Sequence, residues 1–224
     1  MPRQIPIDLP VIEATGRDAF FVSSANAEAV ALVDDSTNWP GGRLLLTGPE
    51  GAGKSHLAAI WAADTGATAL GAAALSGLAP PAPGAALLVE DVHALMGSRA
   101  REEPLFHLLN RATEAGARLL LTAREPLPAP ALPDLATRLS ATPRARLGEP
   151  DDALLTALLV KLFDDRQLAP TPKLLAYLLT HMERSAAAAR ATVAALDRHQ
   201  LATGHKLSRK LAREVLDSKD ISGT

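Results

Sequence analysis

Cysteine is absent from the 224 residues, so neither a disulfide nor a thiolate-bound metal contributes to this fold or its chemistry. Aromatic residues are scarce at 3%, whereas hydrophobic residues reach 47% with alanine and leucine dominant. A helix-rich, soluble protein is expected. No apolar run approaches the roughly 18 residues that cross a bilayer. The N-terminus also lacks the hydrophobic stretch of a signal peptide, so a cytoplasmic location is expected. A large excess of one charge is missing too: the formal net charge of −2 argues against a chain built around nucleic acid. The charge is uneven, however. Residues 1–112 hold 7 Lys/Arg and 12 Asp/Glu, and residues 113–224 hold 16 and 13. An acidic front half and a basic back half suit head-to-tail contact with a similar molecule, although charge also falls wherever faces are solvated.

What the chain does contain is a complete phosphate loop. Leu44-Leu45-Leu46-Thr47 is an apolar strand that runs into Gly48-Pro49-Glu50-Gly51-Ala52-Gly53-Lys54-Ser55, a G-x-x-x-x-G-K-S sequence. The glycines let successive backbone N–H groups converge on one anion. Lys54 reaches the β/γ-phosphates, and the Ser55 hydroxyl ligates Mg²⁺. A helical pattern through His56, Leu57, Ala58, Ile60 and Trp61 follows, as the motif requires. The expected nucleotide set is therefore Gly48, Pro49, Gly51, Ala52, Gly53, Lys54, Ser55 and His56, with ADP or ATP and Mg²⁺ as ligands.

Residues 1–12 read as an untethered tail. A helix is expected over 19–32, capped by Ser24 or Asn26, then strands at 43–47, weakly at 67–70, at 85–90 and at 118–122. Helices are expected from the phosphate loop to about residue 63 and over 102–114. Short apolar strands alternating with helices predict an α/β fold with a parallel sheet sandwiched between helices. Ligands of such sheets lie beyond the carboxyl ends of the strands. After Pro150 only helices are expected, over 151–168, 172–181, 185–202 and 206–217, so residues 13–150 form the nucleotide-binding domain and 151–224 a small all-α lid.

Leu87-Leu88-Val89 ends in Glu90-Asp91, the paired carboxylates a phosphate loop needs. One orients Mg²⁺, here Glu90, and the next positions the attacking water. The usual order is Asp then Glu; the reversal shifts each group by roughly an ångström, and a misplacement of about 1 Å can cost ~100-fold in rate. Slow intrinsic hydrolysis is expected. Thr122, ending the next strand, is placed to hydrogen-bond the γ-phosphate or attacking water. Arg138 lies in Leu132-Pro133-Asp134-Leu135-Ala136-Thr137-Arg138-Leu139, a short helix held off the sheet by prolines, where it is either a finger for a neighbouring molecule or a surface residue.

These pieces, in this order, resemble the AAA+ family, in particular its DnaA-related branch and the short Hda-type regulators within it. The likeness extends over nearly the whole chain. It rests on Phe20-Phe21-Val22 with Asn26, Gly48 to Ser55, Leu87 to Asp91, Leu121-Thr122-Ala123-Arg124 and the segment from Leu132 to Leu139. The resemblance implies that Phe21, Val22 and Asn26 lie near the adenine, that Thr122 is sensor 1, and that Arg138 is a finger acting in trans. Gln4-Ile5-Pro6-Ile7-Asp8-Leu9-Pro10 resembles the family's sliding-clamp peptide, in which a glutamine amide is hydrogen-bonded while aliphatic side chains enter pockets. Gln4, Ile5, Ile7 and Leu9 are then the partner-binding residues, with Asp8 standing where proline is usual.

The initiators of this branch bind DNA through a separate helix-turn-helix domain that has no counterpart after the lid, so direct origin binding is the least expected activity. The sensor 2 arginine of the family falls on Ala187; Arg184 and Arg190 lie a helical turn to either side, and Arg190 is the candidate. The basic face of Lys206, Arg209, Lys210 and Arg213 backs an apolar face of Leu207, Leu211 and Val215. Three activities follow as alternatives. One is a regulator that docks on the clamp and stimulates hydrolysis of DnaA-bound ATP; the second is a self-sufficient ATPase such as a helicase loader; the third is an origin-binding factor.

Overall fold

The computed structural model describes residue 17, residues 20–203 and residues 206–220. The chain divides into two compact units, Thr15–Glu149 and the chain from Pro150 onward. The predicted tail with Gln4, Ile5, Ile7 and Leu9 lies outside the described residues.

The first unit is built on five parallel strands, β1 (Arg43–Gly48), β2 (Thr68–Gly71), β3 (Ala86–Glu90), β4 (Arg118–Arg124) and β5 (Arg144–Arg146), in the order β2-β3-β4-β1-β5. Its helices are α1 (Ala27–Asp34), α2 (Lys54–Thr65), α3 (Arg99–Glu114) and α4 (Pro133–Ser140). The central strands are apolar on both faces because both faces are covered. Leu45, Leu119 and Leu121 pack with Leu105, Leu108 and Leu135 of α3 and α4. Leu44, Leu46, Leu88 and Leu120 pack with Val30 of α1 and Leu57 of α2. Within that second core Trp39 stacks on Trp61 at 5.3 Å and 25°, anchored by its indole N–H donating to the Leu32 carbonyl at 2.7 Å.

The expected α/β sandwich is therefore present, with two differences in detail. The first helix starts at Ala27, not near residue 19. Asn26 caps it without a side-chain bond to the helix, because its amide is spent on the loop before it. It accepts from the Ser23 N–H at 2.8 Å and donates to the Phe21 carbonyl at 2.9 Å. The fifth strand, Arg144–Arg146, had no signal: its three residues pair with Leu45, Leu46 and Thr47 and only Ala145 is buried.

The second unit holds α5 (Asp152–Asp164), α6 (Pro172–His181), α7 (Ala186–Thr203) and α8 (Arg209–Asp220). Asp151 caps α5 by accepting from the Leu154 N–H at 2.7 Å, and Thr171 caps α6, with Pro172 at its first position, by accepting from Leu174 at 3.2 Å. Both are preferred helix starts. The unit has its own core, including Leu155, Leu159, Phe163, Leu178, Val193 and Leu211. Among the described residues no helix is long and apolar enough to cross a membrane.

Candidate functional site

Parallel pairing sets the ends of three strands side by side. Gly48 of β1 pairs with Arg124 of β4, Leu46 with Thr122, and Glu90 of β3 with Gly71 of β2. The phosphate loop leaves β1 at Gly48, where a Cβ would stand 2.3 Å from the Leu147 carbonyl oxygen, so only glycine fits. Gly53, at φ 97°, caps α2 in the left-handed region that glycine adopts freely. Lys54 is the first residue of α2; the helix N-terminus favours an anion there.

The Lys54 ammonium is buried and folded over the loop, donating to the carbonyls of Gly48 at 3.0 Å and Pro49 at 2.7 Å. Burial lowers its pKa from the ordinary lysine value, against the attraction of Asp91. Ser55 is exposed in the same first turn. Pro49, Gly51 and Ala52 complete the loop, and Glu50 is tied across it to Arg124 at 2.7 Å.

At the end of β3, Glu90 is half-buried and Asp91 is exposed, the latter in the left-handed region at φ 57°. Of these two carboxylates it is Asp91 whose charge, with those of Glu50 and Glu125, acts on Lys54. Thr122 is 1% exposed, and its hydroxyl accepts from the Asp91 N–H at 3.0 Å. Nearby, Nδ1 of His93 accepts from the Arg124 N–H at 3.2 Å. Among the described residues no cluster of three or more His, Asp or Glu could hold a metal by itself. A Mg²⁺ ion commonly takes one or two protein ligands and completes its shell with waters and phosphate oxygens, and Ser55 with a strand-end carboxylate fits that pattern.

On the other flank of the loop, Phe20 packs edge-on against His56 at 5.4 Å and 73° and lies 3.7 Å from where a Cβ on Gly53 would be. Phe21 is half-buried, Val22 is 56% exposed, and buried Asn26 ties their segment to α1. Phe20, part of the Phe20-Phe21-Val22 run but not among the residues expected near the adenine, thus also borders the loop.

No protein-family model matches this sequence, and no curated protein matches it. Solved structures do match. Domain III of the replication initiation protein DnaA from Thermotoga maritima is 18% identical, with a TM-score of 0.79 over 94% of this chain and 98% of that one. The chain has the AAA+ fold of DnaA domain III. The same AAA+ fold is shared with AMPPCP-bound DnaA from Aquifex aeolicus, 16% identical with a TM-score of 0.68 over 87% of this chain and 68% of that one. It is shared more distantly with the AAA domain of FIGL-1 in complex with ADP, 15% identical with a TM-score of 0.56 over 72% and 62%.

Within this AAA+ fold Arg138 stands on the last turn of α4, half-buried, its guanidinium 5.5 Å above the Phe106 ring. Among the described residues it forms no ion pair. One residue that holds α4 had no motif to mark it. Glu102 of α3 is fully buried, and its carboxylate accepts from the N–H groups of Gly97 at 2.7 Å, Ala131 at 2.9 Å and Leu132 at 2.7 Å, fastening the loop that leads into α4. In the second unit Arg184 pairs with Asp152 at 2.6 Å and donates to the Pro150 carbonyl at 3.0 Å; Arg190 lies within α7.

Proposed function

We propose that this chain is a regulator that inactivates the replication initiator DnaA. In this reading the loop from Gly48 to Ser55 holds ADP or ATP with Mg²⁺, and Phe20, Phe21, Val22, Asn26 and His56 border the base and ribose. Gln4, Ile5, Ile7 and Leu9 dock on the sliding clamp, and Arg138 enters the ATP site of a DnaA molecule. There its guanidinium neutralises charge that develops on the transferred phosphoryl oxygens, a role worth roughly 10³–10⁵ in rate when supplied in trans. ADP-bound, inactive DnaA is the product, and re-initiation is suppressed.

The observation that carries this reading is Arg138 itself. A structural arginine normally ends on a carboxylate or carbonyl; this one is propped on Phe106 with no carboxylate of its own unit to neutralise it. The fold shared with DnaA domain III supports association of the two through AAA+ faces. Glu90 and Asp91, in reversed order, support slow turnover by the chain alone, with Thr122 and Lys54 as its remaining machinery.

The test follows DnaA-bound nucleotide after mixing the purified chain with clamp-loaded DNA and DnaA-ATP. Conversion to DnaA-ADP should depend on the clamp in wild type and lose that dependence in Gln4→Ala. Brisk ATP turnover by the chain without DnaA would instead favour an ATPase in its own right, such as a helicase loader.

A further inference from the structure

We infer that Arg43 is the second cation of the Arg138 site, so that two guanidinium groups together receive the terminal phosphate of a nucleotide held by a neighbouring molecule. The inference rests on the role of Arg138 proposed above and extends it to a residue that no motif marks.

The strand alternation places Arg43. Side chains two apart share a sheet face, so Arg43 follows Leu45, which packs against α3 and α4, while Leu44 and Leu46 face α1 and α2. Arg138 reaches the same end of β1. After α4 the chain turns through Thr142, whose hydroxyl donates to the Arg138 carbonyl at 2.8 Å, and through Pro143, whose carbonyl accepts from the Leu45 N–H at 2.9 Å. Both arginines therefore sit where β1 begins, at the end of the sheet opposite the chain's own phosphate loop.

The Arg43 guanidinium is anomalous there. Its Nε and Nη1 are covered from solvent and have no hydrogen-bond partner, although buried donors are almost always satisfied. Nη2 lies beside Gly41, 3.2 Å from where a Cβ would be. Burial lowers the Arg43 pKa, and the positive charge of Arg138 lowers it further. Several other arginines of the unit have partners: Arg17 pairs with Asp34, Arg124 with Glu50 at 2.7 Å, Arg146 with Glu125 at 2.8 Å, and Arg118 donates to the Ser36 hydroxyl at 3.2 Å; Arg144, which forms no ion pair among the described residues, is exposed. Two like charges with no ion-pair partner between them, one of them with covered donors that lack acceptors, are unfavourable in the isolated chain. An anion that accepts from Arg138 and from Nη2 of Arg43, the Arg43 nitrogen outside the covered pair, offsets the repulsion, and phosphate oxygens suit guanidinium donors.

The experiment compares wild type, Arg43→Met, Arg43→Lys, Arg138→Ala and the Arg43→Met/Arg138→Ala double variant, using DnaA loaded with ATP or with ADP. Arg43→Met should slow stimulated hydrolysis by roughly 10²-fold, and Arg43→Lys should recover part of it. The double variant should be no slower than Arg138→Ala, and binding to ADP-loaded DnaA should change less than about 2-fold in each single variant, since the lost contact is to the terminal phosphate. Melting of Arg43→Met should rise by about 1–3 °C, because an unsatisfied charge is replaced by an apolar side chain. Full stimulation by Arg43→Met beside an inactive Arg138→Ala would overturn the second cation alone, whereas an active Arg138→Ala would overturn the finger reading itself. A lower melting temperature with lost activity in Arg43→Met, or equal loss of affinity for ATP- and ADP-loaded DnaA, would also overturn the inference.

Discussion

Glu102 Oε2 accepts a 2.7 Å hydrogen bond from the N–H of Leu132, so a carboxylate with no exposed surface holds the residue before the helix that carries Arg138. Burial alone would raise its pKa. Backbone N–H groups of Ala131, Leu132, Gly97 and Ser98 outweigh burial and hold it below the usual carboxylate range. Because the folded value is depressed below the unfolded one, near 4.3, this stabilisation is complete above that unfolded value. It is lost as pH falls through the lower folded value. Glu102→Gln should cost about 2–4 kcal/mol at pH 7, since an amide NH₂ faces donors that need an acceptor. The gap from wild type, measured by urea unfolding, should narrow as pH drops below about 4.

Gly48→Ala should destabilise the first unit severely. The added methyl would stand 2.3 Å from the Leu147 carbonyl oxygen, which cannot withdraw without breaking the Leu147 N–H bond to the Thr47 carbonyl at 2.8 Å. A loss of about 4 kcal/mol or more, or failure to fold, is expected in chemical denaturation.

Lys54→Ala should fold normally, because it removes a cation from a partly desolvated place. Its two bonds to loop carbonyls mark the ammonium as the charge suspended over the anion site. Affinity for ADP with Mg²⁺, measured by calorimetry, should fall by about 10–100-fold, the worth of one charged hydrogen-bonding group.

Thr122→Val keeps the shape of the side chain but orphans the Asp91 N–H, now bonded at 3.0 Å. Stability should fall by about 1–3 kcal/mol, and Thr122→Ser should restore most of it. Loss of Mg²⁺-dependent turnover in Thr122→Val but not in Thr122→Ser would show the hydroxyl acting on chemistry through Asp91.

The phosphate loop and its flanking strand were legible because a G-x-x-x-x-G-K-S sequence carries a backbone requirement that Gly48 and Gly53 meet. The buried strands were legible because runs such as Leu119–Leu121 are apolar on both sides. The helices after Pro150 announced themselves by Asp151 and by Thr171 with Pro172. Elements defined by their partners were not legible. Arg144–Arg146 is a strand only because Leu45–Thr47 lies beside it. The first helix begins at Ala27 and not near residue 19, because the Asn26 amide holds the segment before it as a loop through Phe21 and Ser23. Glu102 looked like an acidic residue in a first helical turn, and only the approach of Leu132, 30 positions away, makes it an anchor. Arg43 opens an expected strand, and only its neighbours in the fold give it covered, unpartnered donors.

The most direct measurement is single-turnover hydrolysis of ATP already bound to DnaA, in the presence of clamp-loaded DNA and either wild-type chain or Arg138→Ala chain, with the ADP affinity of both chains measured alongside. The account predicts equal ADP affinities and a loss of stimulation of about 10³-fold or more in Arg138→Ala. Full stimulation by Arg138→Ala, or a collapse of its own ADP affinity, would contradict it.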